Sequence, residues 1–169
     1  WLLKKVKPAV NIRFILCNPE AASLPPEFSH RYLTQTQDLN RFFTPNETPP
    51  NRKNTAISQR AKQIKKAVTE VCPEAIVDLH NTSGDSPAFG VSISDNDQVL
   101  DLISLFTNKV ILTGLRLGAI MEQSFNAPIV TIECGGCNEM QAHQLAYDGI
   151  NNYASTDNIF DLHAGLVDI

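Results

Sequence analysis

Short apolar runs alternating with stretches of helical period leave this chain few folds other than a layered α/β one. The runs lie at residues 10–16, 75–79, 109–113 and 128–132. Three of them are continuous β-branched or apolar segments, which suits strands covered on both faces. Between them, Ile57, Ala61, Ile64, Val68 and Val71 recur every three or four residues, with Arg60, Lys62, Lys65 and Lys66 on the other side. This spacing predicts an amphipathic helix capped by Asn54 or Thr55 and ended by Pro73. A second helix is expected from Ser94 or Asp95 to Phe106, burying Val99, Leu102, Ile103 and Phe106, with acidic residues in its first turn. A third is expected from Asn138 to about Tyr153, carrying Met140, Leu145 and Ile150, with Gly149 weakening its last turn. The expected architecture is a mixed, mostly parallel central sheet with helices on both faces.

Two stretches fall outside this scheme. Residues 18–53 hold six of the ten prolines and no sustained period; a long insert of that kind is uncommon unless it is functional or disordered. Residues 80–92 form a glycine-containing loop directly after a strand, where open α/β sheets commonly bind ligands.

With 169 residues, the chain can bury roughly 70% of its unfolded surface and needs no bridge or metal merely to fold. Its 14 Lys and Arg against 18 Asp and Glu give a net charge of −4, so no overall field attracts nucleic acid or an anionic membrane. The basic cluster Lys4, Lys5, Lys7 and Arg13 is too short to reverse that. No apolar run approaches the roughly 20 residues of a membrane span, and a cytoplasmic location is expected. Cys17 and Cys72, beside apolar runs, read as core thiols. Cys134 and Cys137 form the one Cys-x-x-Cys, without the second pair or thioredoxin-like context that zinc or redox use requires.

Chemistry concentrates in three places. Asp78-Leu79-His80-Asn81-Thr82 follows the second run: a histidine at a strand end can ligate a metal, and Asp78, two residues earlier on the same face, can orient its ring. Alternatively, His80 is a partly exposed polar residue. Glu133, after the fourth run and followed by Cys134 and two glycines, can take a proton from water, and an unused carboxylate there would cost desolvation energy. Arg31-Tyr32 and Asp38-Leu39-Asn40-Arg41 set two guanidiniums and an amide in the irregular insert, a donor set suited to carboxylates; loops also expose arginines without purpose.

Taken in order with Asn18-Pro19-Glu20-Ala21, these motifs resemble the succinylglutamate desuccinylase and aspartoacylase family, related in fold to zinc carboxypeptidases, over about residues 10–140. The resemblance implies a zinc-dependent hydrolase that releases a small carboxylic acid from an N-acyl amino acid. It implies His80 as a zinc ligand, Glu133 as general base and Arg31 as the group that stabilises the oxyanion. Asn40 and Arg41 would grip the substrate carboxylate together with Asn81, supported by Asp38 and Asp78. The family draws two further ligands from an upstream His-x-x-Glu, which this sequence does not contain. His30, His143 and His163 do not replace it. The expectation is therefore a piece of a longer hydrolase: residues 1–155 a partial catalytic domain that opens in the tail of a helix, and 156–169 a tail or the start of a C-terminal β domain.

Two other readings stand beside this one: a non-catalytic α/β module that keeps the anion-binding loop, and a related zinc metallopeptidase or amidase. The acyl group stays open, since a succinyl carboxylate would need a further cation, for which Arg116 and Arg52 are candidates. The expected partner is a small N-acyl amino acid rather than nucleic acid or membrane, with homo-oligomerisation open.

Overall fold

A computed structural model describes residues 8–44, 55–160 and the backbone of 167–168. The expected N-terminal helix tail, Lys4, Lys5, Lys7, Arg52, Asn54, His163 and the prolines at 45, 49 and 50 lie outside the described residues. The elements in chain order are α1 (Pro19–Ala22), α2 (Ala56–Val71), β1 (Ile76–Thr82), β2 (Phe89–Ser92), α3 (Asp97–Ser104), β3 (Lys109–Leu112), β4 (Ile129–Gly136), α4 (Met140–Ser155) and β5 (Val167–Asp168). Short 3-10 helices occupy Leu39–Arg41 and Ile120–Glu122. The chain divides into two compact units. One holds the described residues of 1–14, 75–114 and 128–169, the other those of 15–74 and 115–127.

The first unit is built on a five-stranded sheet of order β1-β4-β2-β3-β5. The β1/β4, β2/β3 and β3/β5 pairs are parallel and β2/β4 antiparallel, so the mixed, mostly parallel α/β architecture is present. Strand alternation assigns the faces. Val130, Ile132 and Cys134 of β4 enter a core with Val99, Leu102 and Ile103 of α3 and Ala142 of α4. Burying each Val, Leu or Ile there contributes about 1.5–3 kcal/mol. Asn96 caps α3 by accepting from the Val99 N–H at 3.0 Å, and Asp97 follows in the first turn.

Helix α4 departs from expectation in the face it buries. Met140 is 80% exposed, and the inward side carries Ala142, Gly149 and Ala154, with Leu145, Ala146 and Tyr153 packed alongside. Gly149 is a close-packing residue: a Cβ built on it would lie 2.0 Å from a carbon of the Phe106 ring.

In the second unit, α2 starts at Thr55, whose side chain accepts from the Ser58 N–H, and buries Ser58, Ala61, Ile64 and Val68 along one stripe. It ends at Cys72 in the left-handed region (φ 50°), immediately before Pro73. The insert is a string of local turns. Asn18 caps α1, and Asp38 caps the first 3-10 helix.

Three expectations need correction. Residues 10–16 form no strand: among the described residues no ladder includes them, and Phe14, Ile15 and Leu16 are exposed. Apolar composition alone does not make a strand, because its backbone groups need a partner to pair with. Residues 80–92 are not one loop, since β1 runs on to Thr82 and β2 begins at Phe89. Cys72 is exposed at a helix end and Cys17 only half-buried, so neither is a core thiol.

Candidate active site

In the first unit, pairing register gathers the candidate groups. β1 and β4 run parallel with His80 opposite Glu133 and Asp78 opposite Thr131. On the other side of β4, Phe89 of β2 is opposite Glu133. Residues paired in register share a face, so Phe89, Glu133 and His80 form one row across three strands, and Val91, Thr131 and Asp78 the row before it. Both rows lie on the face opposite Val130, Ile132 and Cys134.

Within these rows Asp78 Oδ2 meets His80 Nε2 at 2.8 Å, both side chains partly buried, and Thr131 Oγ1 donates to the same oxygen at 3.4 Å. The carboxylate is thus within hydrogen-bond distance of the imidazole ring, the geometry that an orienting residue needs. Beyond His80 the register slips: Thr82 pairs with Gly136, so β4 spends one residue more than β1. Gly135 absorbs this bulge at φ +118°, a conformation costly for any residue with a Cβ. Asn81 sits at the irregularity, half-buried and outside the row.

Strand alternation also places Cys134, the first cysteine of the pair. Cys134 is 4% exposed among core side chains, and burial, then the neighbouring Glu133 charge, pushes its thiol up to about 11. Such a thiol is inert. In the folded protein, exposed Cys72 is expected to react first with an aromatic disulfide reagent, and Cys134 only on unfolding. Cys72→Ser should remove the fastest phase and Cys134→Ser leave native kinetics unchanged; fast native labelling of Cys134 would contradict its burial.

The second unit gathers the arginines. Arg31 donates from Nε and Nη2 to the single oxygen Asp38 Oδ2, at 2.9 and 2.7 Å. Arg41 Nε approaches that oxygen at 3.8 Å, while Asp38 Oδ1 accepts from the Asn40 N–H at 3.0 Å. Asn40 Oδ1 accepts from the Ile120 N–H at 2.8 Å, which ties the first 3-10 helix to the second. The loop that supplies Ile120 is braced by Glu122, whose carboxylate accepts from the N–H groups of Leu117, Gly118 and Ala119. A cleft of about 240 Å³ is lined by Tyr32, Thr36, Gln37, Asp38, Arg41 and Phe42.

Of the residues expected from sequence, His80, Asp78 and Glu133 thus meet in one unit, and Arg31, Asp38, Asn40 and Arg41 in the other. Thr131 and Phe89 join the first set through register, which no sequence motif signals. Glu122 joins the second through backbone contacts that are equally silent in sequence. A catalytic zinc centre takes three protein ligands. Among the described residues no group of three His, Cys, Asp or Glu is placed to hold a metal. His80, with Asp78 behind it, fits one ligand position; the described residues do not complete the centre.

The chain is thus an α/β protein with an aspartate-backed histidine opposite a glutamate in one unit and an arginine–aspartate cluster in the other. The catalytic-domain model of the succinylglutamate desuccinylase/aspartoacylase family matches residues 2–155, and the chain belongs to that family. Solved structures agree on the fold. The succinylglutamate desuccinylase of Vibrio cholerae superposes with a TM-score of 0.62 at 17% identity, over 82% of this chain and 46% of that one. That of Chromobacterium violaceum gives 0.57 at 18% identity, over 75% and 47%. The product-bound ectoine utilization protein EutE (DoeB) of Ruegeria pomeroyi gives 0.54 at 17%, over 76% and 44%. The chain spans about half the length of these solved relatives. No curated protein sequence matches it.

Proposed function

We propose that the protein is a zinc-dependent hydrolase that releases a small carboxylic acid from an N-acyl amino acid in the cytoplasm. The observation that carries this reading is the row in which Glu133 stands opposite an aspartate-backed His80. Membership of a family of deacylating hydrolases supports it. Among the described residues no helix is long and apolar enough to cross a membrane.

Glu133 takes the proton of the attacking water and returns it to the amine nitrogen as the C–N bond breaks. Asp78 holds the His80 ring; a ring bound through Nε2 would coordinate through Nδ1. Zinc, when bound, supplies Lewis-acid polarisation of the amide carbonyl and lowers the pKa of water. Arg31 stabilises the negative oxygen that develops in the transition state. Asn40 and Arg41 hold the amino-acid carboxylate, with Asn81 assisting.

The test is hydrolysis of N-acetyl and N-succinyl amino acids by the full-length protein, before and after chelation. Metal-dependent release of free amine is expected. Binding without release would select the non-catalytic module instead. Arg41→Ala is expected to raise KM about 10- to 100-fold with little change in kcat, the loss of a charge-assisted hydrogen bond. An unchanged KM would remove Arg41 from the clamp.

A further inference from the structure

Resting on the proposed role of Asn40 and Arg41 in binding, we propose that Glu122 is their positioning residue, acting through the loop against which their turn is held. Leu117, Gly118 and Ala119 present three successive backbone N–H groups, and the Glu122 carboxylate accepts from all of them at 2.7 to 3.1 Å. Gly118 and Ala119 are buried and belong to no helix or strand, so no ladder is there to take their N–H groups. Buried N–H groups left without an acceptor are costly, and a run of them converging on one point favours a negative charge. Glu122 supplies it, and the loop keeps its shape around that carboxylate.

The loop so shaped is tied to the turn on both sides of Arg41. The Ile120 N–H donates to Asn40 Oδ1 at 2.8 Å, and the Gly118 carbonyl accepts from the Phe43 N–H at 3.0 Å. The Gln123 side-chain amide donates to the Phe43 carbonyl. Between these ties the approach is close: a Cβ built on Gly118, at φ +87°, would lie 2.8 Å from the Arg41 carbonyl oxygen. The Arg41 guanidinium in turn donates from Nη1 to the Asn40 carbonyl at 2.6 Å, so where the cation lies follows from where the turn lies. Arg41 lines the cleft and Glu122 does not. The influence of Glu122 on a ligand therefore passes from the loop to Asn40 and from Asn40 to Arg41.

A double-mutant cycle separates positioning from general support of the fold. The affinity for N-acetylglutamate is measured by calorimetry on the full-length protein carrying Glu133→Gln, so that the ligand is not consumed. Glu122→Gln keeps the size of the side chain but turns one acceptor into a donor among N–H groups. It is expected to weaken binding about tenfold while Arg41 is present, and by less than about twofold once Arg41→Ala has removed the group being positioned. Equal weakening in both backgrounds, or none in either, would overturn the proposal. Gly118→Ala leaves Glu122 in place and presses on the Arg41 carbonyl; it should reproduce the loss and its dependence on Arg41, and carries the test if Glu122→Gln does not fold. Unchanged affinity in a folded Gly118→Ala protein would also overturn the proposal. Failure of the underlying reading shows elsewhere in the cycle: Arg41→Ala alone at unchanged affinity, or no binding of N-acetylglutamate at all, removes the binding role of Arg41 and the positioning with it. The expected cycle without turnover when Glu133 is intact keeps the role of Glu122 and removes the hydrolase activity.

Discussion

Replacing Glu133 by glutamine is expected to lower kcat by about 10²- to 10⁴-fold while leaving the fold and the metal content of the full-length protein unchanged. The amide is nearly isosteric with the carboxylate and keeps a hydrogen-bonding head, but it cannot take a proton from water. Because Glu133 is placed by backbone pairing with His80 and Phe89, the substitution leaves the row itself intact. The readouts are therefore steady-state turnover, zinc stoichiometry and circular dichroism on the same preparation. More than about a tenth of the activity surviving would take the proton-accepting role away from Glu133.

The second large effect concerns stability. Alanine is a better helix former than glycine by about 1 kcal/mol, so Gly149→Ala on an ordinary helix surface would stabilise. Here the added methyl would sit 2.0 Å from the Phe106 ring, inside any tolerable contact. Overpacking of that kind costs about 1–3 kcal/mol and should outweigh the propensity gain. The expected outcome of thermal or denaturant unfolding is a net loss. Phe106→Leu made together with Gly149→Ala should recover part of it, a coupling that identifies the ring as the cause. A stabilised single variant would mean that Phe106 moves aside at no cost.

Much of the sheet was legible because β1, β3 and β4 begin as apolar runs. The runs at 75–79, 109–113 and 128–132 all lie in or against β1, β3 and β4. What was missed has a common cause, that pairing is a property of two segments and composition of one. β1 and β4 continue through His80-Asn81-Thr82 and Glu133-Cys134-Gly135-Gly136, where the apolar signal stops but the ladder does not. β2 hides among loop residues because Gly90 breaks its pattern; a Cβ there would strike Ile103 of α3. Residues 10–16 err in the opposite direction, apolar without a described partner. On α4, Met140 drew attention by type, yet the small residues Ala142 and Gly149 make the close contacts.

The candidate site followed the same division. His80, Glu133 and the arginines announce themselves by residue type beside strands and turns. That His80 stands opposite Glu133 rather than one residue away is a fact of register, and register could not be read from either motif. Nor could the tie between Arg31 and Asp38, seven residues apart in a segment without period.

The alternation along β4 makes the strand intolerant of changes in length. Its even positions, Val130, Ile132 and Cys134, fill the core, and its odd positions, Thr131 and Glu133, lie on the row that carries His80. Deleting or inserting one residue between 129 and 133 would exchange the two sets, sending a carboxylate into the interior and an apolar side chain onto the row. Such a change would forfeit solubility and chemistry together, whereas most substitutions on this strand touch one or the other. Lineages carrying this domain should therefore vary β4 in spelling far more readily than in count, and the Gly135 bulge, lying beyond Glu133, marks the first place where an extra residue is accommodated without that penalty.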